Sequence, residues 1–226
     1  MALKGRHWFL RPYIQFIATW LRYGKPALSK VAALIRAEDP VDLSAPFVFS
    51  QIRELSPSSL EALARWLAEH TEWVSDPLWG LLDFFPSAGN IAWQLNHGDG
   101  IFRDDCDGLA YLTALAVRPF CDEAKQNYIV TVIYDPTEVP IKGSAHVLNL
   151  FRYQGRWRII SNAVLESKAW ETPCAALYDN SYYHQWCRGA ELQYIEVRSA
   201  ELKLLAAGLK DCSALFGCDL HAFERQ

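Results

Sequence analysis

Residues 98–118 read GDGIFRDDCDGLAYLTALAVR, and the pattern changes character at Cys106. Before it the run is acidic and broken by glycine. After it Leu109, Leu112, Ala116 and Val117 recur at helical spacing. The stretch predicts a helix over Cys106–Arg118 that carries a thiol at its N-terminus. The unpaired N–H groups and the positive end of the helix dipole at that position favour a thiolate. Asp104, Asp105 and Asp107 crowd the same turn.

Downstream, Gly143-Ser144-Ala145-His146 leads into the strand-like run VLNLFRY. Gly155-Arg156-Trp157-Arg158-Ile159-Ile160-Ser161-Asn162 follows, with a turn at Gln154-Gly155. A cysteine opening a helix, a histidine opening a strand and a polar residue ending the next strand make the chain order of a Cys–His–third-residue site. Taken singly these residues have plainer readings. A cysteine is often a small buried hydrophobe, aspartates cap helices, and a histidine at a strand start is commonly structural.

Taken together, the segment of about Ser75 to Leu165 resembles the transglutaminase-like superfamily of papain-type cysteine enzymes. It is nearest the bacterial transglutaminase-like cysteine proteinase branch. Three motifs carry the resemblance: Asp105-Cys106-Asp107 opening a helix, Ala145-His146 on a strand, and Gly155-Arg156-Trp157. The branch then usually has Asp-Asn, where this chain has Ser161-Asn162. The resemblance implies an α+β fold, with a papain/transglutaminase-like core in which the nucleophile helix packs on an antiparallel sheet. It also implies Cys106 and His146 as catalytic residues.

The departure at Ser161 touches mechanism. The third residue accepts a hydrogen bond from the histidine and fixes its tautomer. A serine oxygen carries no charge, whereas the Asn162 carbonyl is an established type of partner. Strand alternation puts Trp157, Ile159 and Ser161 on one face and Arg158, Ile160 and Asn162 on the other. Chemistry favours Asn162 and register favours Ser161, so both stand as candidates.

Acidic neighbours raise a thiol pKa, which opposes nucleophilicity, and a bound cation would cancel that cost. In the resembled branch the acidic residues flanking the cysteine bind calcium. The resemblance therefore implies Asp105 and Asp107 as calcium ligands, with Asp104 near enough to help. Calcium needs six or more oxygens, so carbonyls and water would complete the shell. The competing reading is helix capping by Asp104 or Asp105. No cofactor beyond calcium is expected.

The 226 residues include nine Trp, ten Tyr and eleven Phe, with 51% apolar residues. That composition supports a sizeable core and excludes disorder as the general state. The six cysteines form neither a CxxC pair nor a disulfide-dense framework. His184-x-x-Cys187 and Cys212…Cys218…His221 match no standard zinc spacing.

Charge is uneven. Residues 1–36 carry seven Lys and Arg and no acid, so with a whole-chain charge of −4 the remainder is −11. The aromatic-rich N-terminal stretch has arginine and proline in its apolar run. It reads neither as a signal peptide nor as a span of ~20 apolar residues. Residues 1–45 are read as a basic helical segment with helices over Tyr13–Tyr23 and Lys25–Ala37, joined by a linker at Asp39–Pro46 to a domain over 46–226. Contact of this segment with a membrane surface is the lesser alternative, and cytoplasmic residence is the default. The acidic body and the lack of a nucleic-acid motif argue against nucleic-acid binding.

Further along, Ser58-Ser59-Leu60-Glu61 resembles a capping box for a helix through His70. Residues 73–100 read as an irregular aromatic loop walling a cleft. Strands are expected at Tyr128–Tyr134, His146–Tyr153, Arg156–Ser161 and Leu192–Val197, then a helix at Ala200–Lys210. The functional expectation is a cysteine hydrolase acting on amide bonds of proteins or peptides. Gln94 and Asn96 are candidate second oxyanion donors. A transglutaminase or deamidase, and a non-catalytic binding or scaffold domain on the same fold, are the alternatives.

Overall fold

The computed structural model describes residues 59–75, 85–123, 125–135, 138–139 and 141–208, together with Phe16. The expected helices over Tyr13–Tyr23 and Lys25–Ala37 and the linker at Asp39–Pro46 lie outside the described residues, Phe16 apart.

Helix α1, Leu60–His70, buries Leu60, Leu63 and Leu67 completely, as their helical spacing requires. Of the expected capping box, Ser58 lies outside the described residues and Ser59 takes the N-cap position. Ser59 has φ −104° and ψ 66°, outside the extended region a capping serine uses, and makes no side-chain cap bond. Strand β1, Thr71–Trp73, pairs in parallel with β2, Phe102–Asp104. Between them the sequence reading missed helix α2, Ala88–Asn96. The Ser87 hydroxyl accepts from the Asn90 N–H at 3.0 Å, and Ile91 and Leu95 bury four residues apart. Two apolar anchors in nine residues are a weak periodic signal.

Helix α3, Cys106–Ala116, is buried from Asp107 onward, so it is a core helix rather than an amphipathic one. It ends before the expected Arg118. Pro119 lacks the N–H that helix continuation needs, and Arg118–Phe120 tightens into a 3-10 turn.

The main sheet has six antiparallel strands. These are β3 (Asn127–Tyr134), β4 (Ala145–Tyr153, entered through the one-turn helix α4, Ile141–Ser144), β5 (Arg156–Ser161), β6 (Val164–Leu165), β7 (Leu192–Ser199) and β8 (Leu204–Gly208). Their spatial order is β6-β5-β4-β3-β7-β8. Gln154 and Gly155, and again Asn162 and Ala163, all have positive φ, which gives the two tight hairpins flanking β5 their left-handed corners. The helix expected at Ala200–Lys210 is instead a turn with Leu202 at φ 62°, followed by β8 along the edge of β7. A run as short as LLAAG has too few residues to separate helical from strand periodicity.

Each sheet face has its own core. On one, Ile129, Val147, Phe151 and Ile160 meet α3, α1 and α2. On the other, Val130, Val132, Leu148, Leu150 and Ile159 meet helix α5, Pro173–Tyr178, through Cys174, Ala176 and Leu177. The molecule is therefore α+β, with a helix layer on each side of an antiparallel sheet. Among the described residues no helix is long and apolar enough to cross a membrane. Cys106, Cys121 and Cys187 are free thiols, whereas Cys174 is disulfide-bonded.

Candidate active site at one end of the sheet

The site is assembled by the register of the sheet. The Asn127 side-chain amide, at the start of β3, donates to the Ala114 carbonyl in the last turn of α3 at 2.6 Å. The N-terminus of α3 therefore points toward the far end of β3. There Ile133 pairs with Ala145, the first residue of β4. Strand β5 runs antiparallel to β4 and finishes at Ser161 at that same end. Cys106, His146 and Ser161, 55 residues apart in sequence from first to last, thus gather at one end of the fold.

Cys106 is half-buried and opens α3, as the sequence predicts. Asp105 is the N-cap, its carboxylate accepting from the Asp107 N–H at 3.1 Å. Asp104 accepts from the Asp105 N–H at 2.9 Å, and Asp107 accepts from the Gly108 N–H at 2.8 Å. The capping chemistry proposed for these aspartates is therefore present. One oxygen from each of the three carboxylates also lies within 4.8 Å of the others. Gly108 is what permits the crowding. A Cβ there would stand 2.2 Å from Asp104 Oδ2 and 2.7 Å from Asp104 Cβ.

His146 is 3% exposed. Its Nε2 lies 2.8 Å from Ser161 Oγ. Register decides between the two third-residue candidates: Ser161 shares the His146 face. Asn162 is exposed and sits at φ 48° in the hairpin corner, a position asparagine tolerates better than most residues. Burial pushes the His146 imidazole down to about 3 from 6.5, so the ring is neutral around neutral pH.

Alternation has a second consequence. His146 lies on the face of Leu148 and Leu150, while Cys106 packs against the α3-side core. Tyr182 packs against the histidine. Its ring stacks on the His146 imidazole at 3.9 Å and 13°. Its phenol is pushed up by burial first, then by the Cys187 and Cys106 thiols.

Gln94 and Asn96, the candidate second oxyanion donors, both make local hydrogen bonds. Gln94 donates to the Asn90 side chain and accepts from the Arg103 N–H, while exposed Asn96 donates to the Ala92 carbonyl. Both amides are used within α2 and its neighbour β2. Tyr182 and Gly108 escaped the sequence reading. A tyrosine 36 residues beyond its histidine carries no spacing signal. Gly108 beside three aspartates could have been read as a close-approach position.

No protein-family model matches this sequence, and no curated protein matches it.

Proposed function

We propose that the chain is a cysteine hydrolase of papain/transglutaminase-like build, acting on amide bonds of proteins or peptides. The observation that carries this reading is the His146–Ser161 hydrogen bond at the sheet end toward which α3 points Cys106. With Nε2 engaged by Ser161, Nδ1 is the nitrogen that faces proton transfer. It accepts the thiol proton only if Nε2 carries the hydrogen and donates it to Ser161 Oγ. The thiolate then attacks the amide carbonyl carbon and forms a C–S bond. The resulting oxyanion is met by the Cys106 backbone N–H in the first turn of α3. Collapse breaks the C–N bond, and the leaving amine takes the proton from His146. Water, deprotonated by the same imidazole, cleaves the thioester and restores the thiol. An amine in place of water would make the enzyme a transglutaminase. A side-chain glutamine as the attacked amide would make it a deamidase.

Calcium at Asp105 and Asp107, with Asp104, belongs to the same proposal. Its charge would offset the carboxylates' upward pressure on the thiol. The residues fit the ion in donor type and in mutual distance.

A second reading is a non-catalytic binding domain on this fold. The near-complete burial of His146 favours it, since a sealed imidazole exchanges protons poorly. The two readings separate by mass-spectrometric mapping of iodoacetamide labelling near neutral pH. A nucleophilic Cys106 labels well ahead of Cys121, whose thiol burial pushes up to about 12. Equal, slow labelling supports the binding domain.

A further inference from the structure

We propose that Tyr182 is a positioning residue for His146: its ring clamps one face of the imidazole while its hydroxyl anchors it to the loop from which that histidine's strand begins. This rests on the hydrolase reading of the site and deepens it.

The geometry is specific. Tyr182 and His146 rings lie nearly parallel, with centroids 3.9 Å apart. The Tyr182 hydroxyl donates to the Gly143 carbonyl at 2.6 Å, and the Ala145 carbonyl stands 3.3 Å away. Gly143 lies in α4 two residues before Ala145 and three before His146, so ring and imidazole are tied to one short piece of backbone. The Cys187 thiol donates to the same Gly143 carbonyl at 3.1 Å. Trp186 packs so closely that a Cβ on Gly143 would be 3.3 Å from its ring. The π-helical turn Tyr183–Cys187 is therefore seated on the strand entry by Trp186 and Cys187, together with Tyr182 just before it.

Physical need points the same way. Ser161 offers His146 one neutral acceptor, which constrains ring rotation less than a carboxylate does. An aromatic ring stacked face to face removes the remaining rotational freedom and excludes water from that side. The burial that holds His146 neutral is supplied in part by this cover.

The test uses the full chain with its histidines labelled with 15N and 13C, and the His146 signals assigned by their loss in His146→Ala. In the wild type, His146 ring protons should lie upfield of an unstacked histidine's through the Tyr182 ring current, with a cross-peak between the two rings. Tyr182→Leu should abolish that shift, move the imidazole titration toward its ordinary range and slow Cys106 alkylation about tenfold, the value of one lost positioning contact. Tyr182→Phe keeps the stack and should stay within about threefold of wild type, having lost only one net hydrogen bond. Wild-type His146 signals with neither shift nor cross-peak overturn the proposal even if Tyr182→Leu fails to fold. So does a folded Tyr182→Leu with unchanged imidazole signals. If wild-type Cys106 labels no faster than Cys121 while Tyr182→Leu still moves the imidazole, the hydrolase reading falls and the positioning role stands.

Discussion

His146 Nε2 and Ser161 Oγ stand 2.8 Å apart although 15 residues separate them in the chain. The hairpin between β4 and β5 brings them together, and strand alternation keeps Asn162 out of the contact. Ser161→Ala should therefore lower Cys106 alkylation about tenfold, the worth of one net hydrogen bond at a buried site. Ser161→Asp should raise it, because a charged acceptor fixes the Nε2–H tautomer and stabilises the imidazolium. Asn162→Ala should leave the rate alone and cost about 1 kcal/mol of stability, since alanine is poorer in the left-handed corner. Rates follow from timed labelling, and stability from denaturant titration. A rate loss in Asn162→Ala alone would reverse the assignment of the third residue.

The depressed imidazole makes a pH prediction. His146 is neutral in the fold and has an ordinary value of 6.5, lowered by burial to about 3. Between those values the unfolded chain binds the extra proton, so its contribution to stability is present above 6.5 and is lost as pH falls toward 3. Urea midpoints measured across this window should fall with pH, and His146→Gln should fall less steeply. Parallel slopes for the two chains would show that His146 is solvated and the site more open than described.

Gly108→Ala tests the crowded first turn. Alanine gains up to about 1 kcal/mol of helix propensity over glycine. The added methyl, however, meets Asp104 at 2.2–2.7 Å, and the Cβ of Asp104 cannot swing aside as its carboxylate can. Overpacking costs of about 1–3 kcal/mol should win, which shows as a lower denaturant midpoint. A more stable Gly108→Ala would mean that Asp104 does not lie over the helix.

Calcium should act on the same turn. Millimolar calcium should raise the thermal midpoint by mass action, and Asp107→Asn should abolish the rise. An unchanged midpoint with calcium leaves the three carboxylates as capping groups only.

Much of the hydrophobic framework was legible in the sequence because it lies in long, strongly patterned runs. VLNLFRY and RWRIIS are apolar runs with aromatic and branched residues, separated by the Gln154-Gly155 turn, and they form β4 and β5 with boundaries shifted by at most one residue. Helix α3 was legible from its N-terminal acids and apolar spacing, even though it is buried all round. Short elements were not. Helix α2 has two buried anchors, and β8 exists because the β7 edge offers it hydrogen bonds that no local pattern announces. In the site, alternation favoured Ser161 and side-chain chemistry favoured Asn162, and only the folded hairpin shows which of them meets His146. Tyr182 was invisible because its partner is reached only through tertiary packing, and the face on which His146 lies relative to α3 follows from sheet register rather than from any motif.

The pairing of Cys106 with His146 is the centre of this account, and the rate of Cys106 alkylation by iodoacetamide at neutral pH, compared between the wild type and His146→Ala, tests it most directly. Cys121 serves as the internal reference within each chain. The account predicts that Cys106 labels faster than Cys121 in the wild type and loses at least about tenfold of its rate in His146→Ala, as expected when a thiol loses the base that activates it. Equal Cys106 rates in the two chains, both still folded, would contradict it.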